Sequence, residues 1–403
     1  MTNAESTEPS DRSDTCRVMI LSDAIPNRNG VGTYYHDLME HLQDHLGHVE
    51  MIPARANCVF KKNRVWIPLP GDNSQHLYIP NVLPILRQVR DVKPDVLIAP
   101  TLGPFALLAR LISARKQIPL IFGYHTSLTK LVGLYWHGHF GNLTSWYLKR
   151  ASRVMFRRAD AVIVNTDAMR QEAMALGAKD ARIMGTTIAR PIVHTPRVPY
   201  TGEIKSVLYA GRLAKEKRVH TLVEAAKALP EMQFRIAGEG PLKKELLDAG
   251  KDCDNLELLG WLDREDLLNE IDRADLVVLP SQHESFGSIA LEVMARERLM
   301  LVSNQCGILR WPSLEKGLCV IGERESVPDA IRRLCALNPD QRIAIARAAL
   351  EATRTMNEDT MQNWLGLLTS VRKGKPRIDA DACPSRRSET ARGTGCRHAE
   401  GVD

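Results

Sequence analysis

Two carboxylates, Glu284 and Glu292, bracket a stretch that reads SQHESFGSIALEVMA over residues 281–295. Glu292 is the only charged residue between Glu284 and Arg296, in a segment otherwise built from Ile289, Ala290, Leu291, Val293, Met294 and Ala295. A carboxylate in such apolar company is costly unless it is hydrogen-bonded or paired, and two hydroxyls of a ligand would supply those bonds. The β-branched run at 276–279 reads as a buried parallel strand, and Pro280 ends it by fixing φ and removing a ladder donor. Ser285 and Gly287 are then expected to open a helix reaching about residue 296. Open α/β sheets bind ligands at such strand–loop–helix junctions, where the amides and dipole of the helix start favour an anion. At about 1.5 Å per helical residue the two acids lie on the order of 10 Å apart. That span fits the two ends of an extended polyol phosphate, with the helix start between them. The competing reading is a Glu292 paired with a neighbouring arginine and a solvated Glu284.

Two further junctions belong to the same edge. After a strand expected at 206–210 come Gly211, Arg212 and Leu213, with Lys217 a few residues on, and after a strand at 233–237 come Gly238, Glu239, Gly240 and Pro241. All three junctions leave the carboxyl ends of parallel strands. Arg212 and Lys217 suit a pyrophosphate without any metal, the first as a fork and the second as a point charge. A breaking sugar–phosphate bond builds negative charge that fixed cations stabilise. Surface pairing of Arg212 and Lys217 with Glu216 or Glu239 is the alternative. In the first half, Asn29-Gly30-Val31-Gly32 follows a strand at 17–22 and lets backbone amides approach a phosphate. The third glycine of a dinucleotide fingerprint is missing, which counts against a nicotinamide-dependent oxidoreductase.

Positioning these junctions takes two alternating halves. Strand signals at 17–22, 48–53, 95–99, 119–123 and 161–165 alternate with helix signals at 33–45, 82–92, 105–114 and 143–158, besides a hairpin-like 65–68. The pattern restarts at 206–210 and continues through helices at 221–229, 242–248 and 264–271 and strands at 233–237, 256–259 and 276–279. Helices near 327–336, 340–352 and 358–371 close the folded part. This is the signature of doubly wound parallel sheets. Pro191, Pro196 and Pro199 mark an interdomain linker at 186–202. The expected units are a lead-in at 1–15, a first domain at 16–190 to which a last helix at about 355–371 returns, a second domain at 203–354, and a tail at 372–403 without apolar period. Asp379 and Asp381 in that tail fit chance better than metal binding.

A chain of 403 residues suits two such domains. With no 18-residue apolar run, nothing in it reads as a membrane span, and the polar, acidic N-terminus has no secretory h-region. Eight scattered cysteines without a Cys-x-x-Cys pair read as free thiols of a reducing cytoplasm. The formal charge of +6 is unevenly spread. From Val96 through Ala159 there is no Asp or Glu, while Arg110, Arg115, Lys116, Lys130, Lys149, Arg150, Arg153, Arg157 and Arg158 all fall there. Tyr135, Trp136, Phe140, Trp146, Tyr147 and Phe156 are interleaved with them. Such a face attracts lipid head groups or polyphosphate; an ordinary solvated basic face is the plainer alternative. Peripheral association with the inner face of a membrane is the corresponding expectation, with no nucleic-acid partner.

Together, Glu284-x7-Glu292 with Phe286 and Gly287 inside it, Gly211-Arg212-Leu213 with Lys217, and Gly238-x-Gly240-Pro241 resemble the retaining glycosyltransferases of family 4, over roughly residues 17–371. The resemblance implies a GT-B architecture of two Rossmann-like domains facing across a cleft, with the last helix crossing back. It implies a nucleotide-sugar donor on the second domain and no metal or other cofactor. By match, Glu292 would take the ribose hydroxyls and Glu284 those of the donor sugar. The Phe286 and Gly287 amides, Arg212 and Lys217 would hold the diphosphate, with Gly30 approaching from the first domain. His125, in Tyr124-His125-Thr126-Ser127, resembles the family histidine that faces the donor sugar, although a histidine after a strand is by itself more often structural. The stretches at 133–136 and 146–150 are similar to members that glycosylate membrane lipids. Two positions depart from the pattern. Thr187 stands in Gly185-Thr186-Thr187 where an acid is usual, and Arg310 in Cys306-Gly307-Ile308-Leu309-Arg310 where a glutamate is usual. They leave room for a protein that binds nucleotide-sugar without turning it over, or for a soluble acceptor.

Overall fold

The computed structural model describes residues 16–24, 30–54, 67–69, 72–125, 139–282, 284 and 286–373. The first half runs β1 (Arg17–Ser22), α1 (Gly30–Leu42), β2 (His48–Pro53), the antiparallel pair β3 (Ile67–Leu69) and β4 (Asp72–Leu77), α2 (Val82–Val92), β5 (Val96–Ala99), α3 (Pro104–Lys116), β6 (Leu120–Tyr124), α4 (His139–Phe156), β7 (Ala161–Val164), α5 (Asp167–Ala175) and β8 (Ala181–Ile183). A short α6 (Arg190–His194) leads into β9 (Ser206–Ala210), α7 (His220–Ala228), β10 (Gln233–Ala237), α8 (Lys243–Gly250), β11 (Leu256–Gly260), α9 (Arg264–Arg273), β12 (Leu276–Leu279), α10 (Ser288–Ala295), β13 (Leu299–Ser303), β14 (Cys319–Ile321), α11 (Val327–Cys335) and α12 (Pro339–Arg372). Two six-stranded parallel sheets result, ordered β2-β1-β5-β6-β7-β8 and β11-β10-β9-β12-β13-β14. In each, the order reverses beside the first strand, β1 or β9, which is where doubly wound sheets open a ligand crevice.

Strands buried on both faces explain the unbroken apolar runs. Val18–Leu21 and Leu276–Leu279 are almost inaccessible to solvent. On the first sheet, α2 to α5 bury Ile85, Phe105, Phe156 and Met169 on one face. On the other, Leu38 of α1 packs with Trp364 and Leu367 from the end of α12. The Trp364 indole N–H donates to the Tyr34 hydroxyl at 2.8 Å, which satisfies the one polar atom it carries inwards.

The structure corrects the sequence reading in two places. The helices expected at 340–352 and 358–371 are one continuous α12, started by an Asn338–Gln341 capping box. In its β-branched middle the Thr353 and Thr355 hydroxyls bond back to carbonyls of the preceding turn, which leaves no unpaired hydroxyl on the helix there. Ala346 and Ala349 of this helix pack in the second core, and Trp364 and Leu368 in the first. Helix α5 and strand β8 were not expected at all; β8 has three residues and no apolar run. The proline-rich linker is itself packed, with Ile188, Ala189 and Ile192 buried in the second core. Arg296, with no exposed surface, donates to the carbonyls of Ile192, Thr195 and Pro196 at 3.0, 2.7 and 2.7 Å and to the Asp272 carboxylate at 2.8 and 2.6 Å. The Arg298 guanidinium adds a bond to the Val198 carbonyl at 2.9 Å. Helix α10 runs from Ser288 with Gly287 as its N-cap and Arg296 as its C-cap, in line with the expected opening at Gly287 and end near residue 296. The lead-in at 1–15, residues 374–403 with Asp379 and Asp381, and Tyr135 and Trp136 lie outside the described residues.

Candidate active site

The loops after β9 and β10 interlock. The Gly211 amide donates to the Ala237 carbonyl at 3.0 Å, the Leu213 amide to the Glu239 carbonyl at 2.9 Å, and the Leu242 amide to the Leu213 carbonyl at 3.0 Å. Gly238 has φ of +138°, and a Cβ there would collide with the Gly211 carbonyl. Gly240 faces the Leu213 backbone in the same way. Loop packing alone therefore requires both glycines, whatever ligand the edge takes. The Tyr209 hydroxyl, donating to the Arg212 carbonyl at 2.9 Å, pins the first loop to its strand. A single 3-10 turn, Lys215–Lys217, follows, and its Glu216 carbonyl accepts the Gln282 amide of the loop after β12 at 2.8 Å.

That third loop is fixed from the other side as well. The Ser303 hydroxyl donates to the Ser281 carbonyl at 2.5 Å, and the Gly307 amide to the Glu284 carbonyl at 3.0 Å. Phe286 is buried edge-on against Trp311, with ring centroids 6.2 Å apart. Gly287 turns the chain into α10 with φ of +94°, and a Cβ there would press on the Cys306 sulfur at 3.0 Å and Leu279 at 3.1 Å. Burial pushes the Cys306 thiol up to about 12, so it stays protonated. Held this way, Glu284 meets Lys217 in an ion pair, and Arg212 pairs with Glu216. The two cations expected at a pyrophosphate thus have carboxylate partners in this structure. The edge brings Gly211, Arg212, Lys217, Gly238, Glu284, Phe286 and Gly287 onto three hydrogen-bonded loops, with Glu292 on the helix that the third loop starts.

Glu292 projects from α10 half-buried, and among the described residues no side chain donates a hydrogen bond to it. Burial lifts its pKa to about 7, which the Arg264 cation lowers and the Asp37 charge raises. Arg264, first residue of α9, is itself committed across the cleft. Its guanidinium forks onto Asp37 of α1 at 2.6 and 3.0 Å. Sequence spacing offered no route to this pair, whose members are 227 residues apart.

The residues expected from the first half lie on the edge of the first sheet. His125, just after β6, is buried, with Nε2 3.0 Å from the Tyr35 hydroxyl and Nδ1 2.8 Å from Asn165 Oδ1. The amide oxygen can only accept, so Nδ1 carries the proton and Nε2 accepts from Tyr35. Burial pushes the ring pKa down to about 4, leaving it neutral. Both nitrogens are engaged by protein groups, so a donor sugar would reach this ring only by replacing Tyr35. Gly30 opens α1, exposed, and a Cβ there would meet open space, while residues 25–29 lie outside the described set. Asp23 went unnoticed in the sequence. It follows β1 directly and accepts the Phe105 and Ala106 amides at 2.9 and 3.2 Å, capping α3. Burial raises its carboxyl to about 7 against those two bonds. On α4 and the turn beyond it, Lys149, Arg150, Arg153, Arg157 and Arg158 are all exposed and make no ion pair with the described residues. Trp146 beside them is 60% exposed. No helix among the described residues is long and apolar enough to cross a membrane.

Two family profiles cover most of this architecture: "Glycosyltransferase Family 4" matches residues 28–184 and "Glycosyl transferases group 1" residues 199–350. The chain is 30% identical to the alpha-D-kanosaminyltransferase of Streptomyces kanamyceticus over 226 residues, 51% of this chain and 58% of the relative. It is 30% identical to the glycogen synthase of Mycobacterium tuberculosis over 253 residues, 56% of this chain and 58% of the relative. The chain thus spans less than two thirds of the length of these relatives. Among solved structures, sucrose-phosphate synthase of Thermosynechococcus elongatus superposes with a TM-score of 0.64 at 18% identity, covering 89% of this chain and all of that one. HepE of Anabaena in complex with UDP and glucose gives 0.61 at 15% identity, covering 88% and 100%. These likenesses are to the GT-B fold, whose two doubly wound parallel sheets are those described above. The chain belongs to the family 4 glycosyltransferases.

Proposed function

We propose that this protein transfers a hexose from a nucleoside-diphosphate-sugar to a hydroxyl acceptor, with retention at the anomeric carbon and without a metal ion. The observation that carries the reading is Glu292, a half-buried carboxylate on an apolar helix with no side-chain donor among the described residues. Its oxygens suit a pair of ribose hydroxyls. Next to it, Arg212 and Lys217 supply charge for a diphosphate, and Glu284 supplies acceptor oxygens for the sugar. The units doing this would be residues 203–354 for the donor and 16–190, with the returning 355–371, for the acceptor. Arrival of the diphosphate exchanges Lys217 from Glu284 to phosphate and frees Glu284 for sugar hydroxyls. The bond from the anomeric carbon to phosphate then breaks while the acceptor oxygen bonds to that carbon. The acceptor proton leaves with the diphosphate, whose growing charge Arg212 and Lys217 stabilise. His125, neutral and fixed by Asn165, serves as a shaped, uncharged wall on the acceptor side. HepE was solved with UDP and glucose, which makes UDP-sugars the first donors to try. A panel of UDP-, GDP-, ADP- and dTDP-hexoses, read by mass spectrometry for released nucleoside diphosphate with EDTA present, tests the reading. One donor should turn over at an unchanged rate in EDTA. Binding without any release would point instead to a nucleotide-sugar-binding protein, and loss of activity in EDTA restored by Mg²⁺ or Mn²⁺ would end the metal-free scheme.

A lipid acceptor at an anionic membrane is the finer form of this proposal. Its support is the exposed basic run Lys149, Arg150, Arg153, Arg157 and Arg158 with Trp146 alongside. Leu83 of α2 and Leu107 and Leu111 of α3, exposed on helices of the same sheet face, add apolar contact.

A further inference from the structure

We propose that Asp37 and Arg264 form a clasp across the cleft that holds the Arg264 guanidinium beside Glu292 without letting it close on that carboxylate. A residue of the first unit thereby keeps the second unit's donor site open and charged. The proposal deepens the reading of Glu292 as a ligand for donor hydroxyls and rests on it.

Three observations carry it. The pair is bidentate, with Arg264 Nη1 and Nη2 each on a different oxygen of Asp37. Such a fork fixes orientation as well as distance. The pair is also desolvated, the Asp37 side chain being 4% exposed and that of Arg264 23%. A desolvated ion pair adds little net stability over an apolar contact of the same volume, so its geometry is the more informative property. Finally, Glu292 lies within electrostatic reach of both partners yet takes no side-chain hydrogen bond from the described residues. An arginine near a lone carboxylate would ordinarily fork onto it and occupy the oxygens that ribose hydroxyls need. Here the fork is spent on Asp37, and only the through-space attraction reaches Glu292.

Among the described residues, the charged groups that act on Glu292 come from two neighbouring elements. Helix α9 offers Arg264, and α1 offers Asp37, with His36 and Glu40 behind it. Helix α10 carries no other charge, and Arg296 just beyond it is committed to Asp272 and the linker carbonyls. Burial is the largest influence and lifts the Glu292 pKa to about 7, while Arg264 favours the ionised form and Asp37 opposes it.

Binding of UDP-, GDP-, ADP- and dTDP-glucose, followed calorimetrically from pH 5 to 9, tests the clasp. The diphosphate diester of these ligands does not titrate in that range. Wild type should bind one of them with an affinity that falls on the acid side as Glu292 protonates. Glu292→Gln should lose this acid limb. Arg264→Gln should move its midpoint to higher pH and Asp37→Asn to lower pH, the two separating by about one pH unit or more. At pH 6, Arg264→Gln should then bind about threefold more weakly than wild type if it supplies half of that separation. Arg264→Lys, which keeps the charge without the fork and guards against misfolding of the neutral variant, should leave the ammonium free to close on Glu292, so that it binds the donor more weakly than wild type even at pH 9, with a midpoint no higher than that of wild type. If Glu292→Gln keeps the acid limb, or no donor binds wild type, the reading of Glu292 fails and the clasp with it. If Glu292→Gln loses the limb but Arg264→Gln and Asp37→Asn shift it the same way or not at all, the donor reading stands and the clasp is wrong. An Arg264→Lys variant that binds as wild type does across the whole pH range, or whose midpoint rises as far as that of Arg264→Gln, also overturns it.

Discussion

Lys217 pairs with Glu284 across 67 residues of sequence, joining the turn after β9 to the loop after β12. With side chains 18% and 17% exposed, the pair is largely shielded from water and salt. On the proposed reading, a diphosphate entering this edge would meet a lysine already in place and a carboxylate that the exchange releases. The ion pair would thus hold ready the two groups that the proposed transfer needs separately.

The donor grip should divide between binding and chemistry. Glu292→Ala removes contacts to ribose, which are the same in ground and transition states, so donor KM should rise with kcat little changed. Steady-state kinetics on the active donor check this, and an unaltered KM would remove Glu292 from the donor site.

Asp272 holds the buried Arg296 that anchors the linker. Removing one partner of a buried pair leaves an uncompensated charge, so Asp272→Ala should cost about 3–5 kcal/mol in urea unfolding. The Arg296→Met change strands the Asp272 carboxylate and the Ile192, Thr195 and Pro196 carbonyls, but a carboxylate can shed its charge by taking up a proton as a guanidinium cannot, so it should cost less. Equal losses from both would mean that the carbonyl bonds, not the charge pairing, dominate.

The pH dependence of stability carries the signature of His125. Its pKa falls from an ordinary 6.5 to about 4 in the folded chain. The unfolded chain therefore binds the proton first, and this contribution is present above pH 6.5 and lost as pH falls towards 4. Asp23 and Glu292, raised to about 7, have the opposite sign and favour the folded state as pH drops. Comparing wild type with His125→Gln isolates the histidine. Between pH 7 and 4.5, wild type should lose about 2–3 kcal/mol more than the variant, measured by urea midpoints.

Much of this site was legible in the sequence because its parts are local. The runs at 206–210, 233–237 and 276–279 are short, apolar and ended by Gly or Pro, and the strands have those bounds. The Glu284–Glu292 spacing likewise follows from one loop and one helix. What stayed hidden depends on contacts between distant segments. No spacing rule joins Asp37 to Arg264, or Arg296 to carbonyls 100 residues earlier. Gly238 reads as a phosphate-loop glycine until the Gly211 carbonyl is seen beside it. Strands β8 and β14, three residues each, are too short for a periodic signal and are held by their neighbours in the sheet.

The basic run on α4 should bind anionic vesicles in a salt-dependent way. Each Lys or Arg at such a surface is worth roughly 1 kcal/mol, and exposed charges are screened within about 10 Å at 0.1 M salt. Co-sedimentation with phosphatidylserine-containing liposomes should be clear at low salt, weak at 0.5 M, and lost when Lys149, Arg153 and Arg157 are changed together to Glu. If wild type ignores anionic vesicles at low salt, the acceptor is a soluble hydroxyl compound.

The turnover rate of Lys217→Ala at saturating donor, with EDTA present, tests the account most directly. Removing one preorganised cation from the leaving diphosphate should lower kcat on the order of 10²-fold or more, while the donor still saturates the enzyme. A rate within about threefold of wild type would contradict it, because Lys217 would then take no part in stabilising the departing diphosphate.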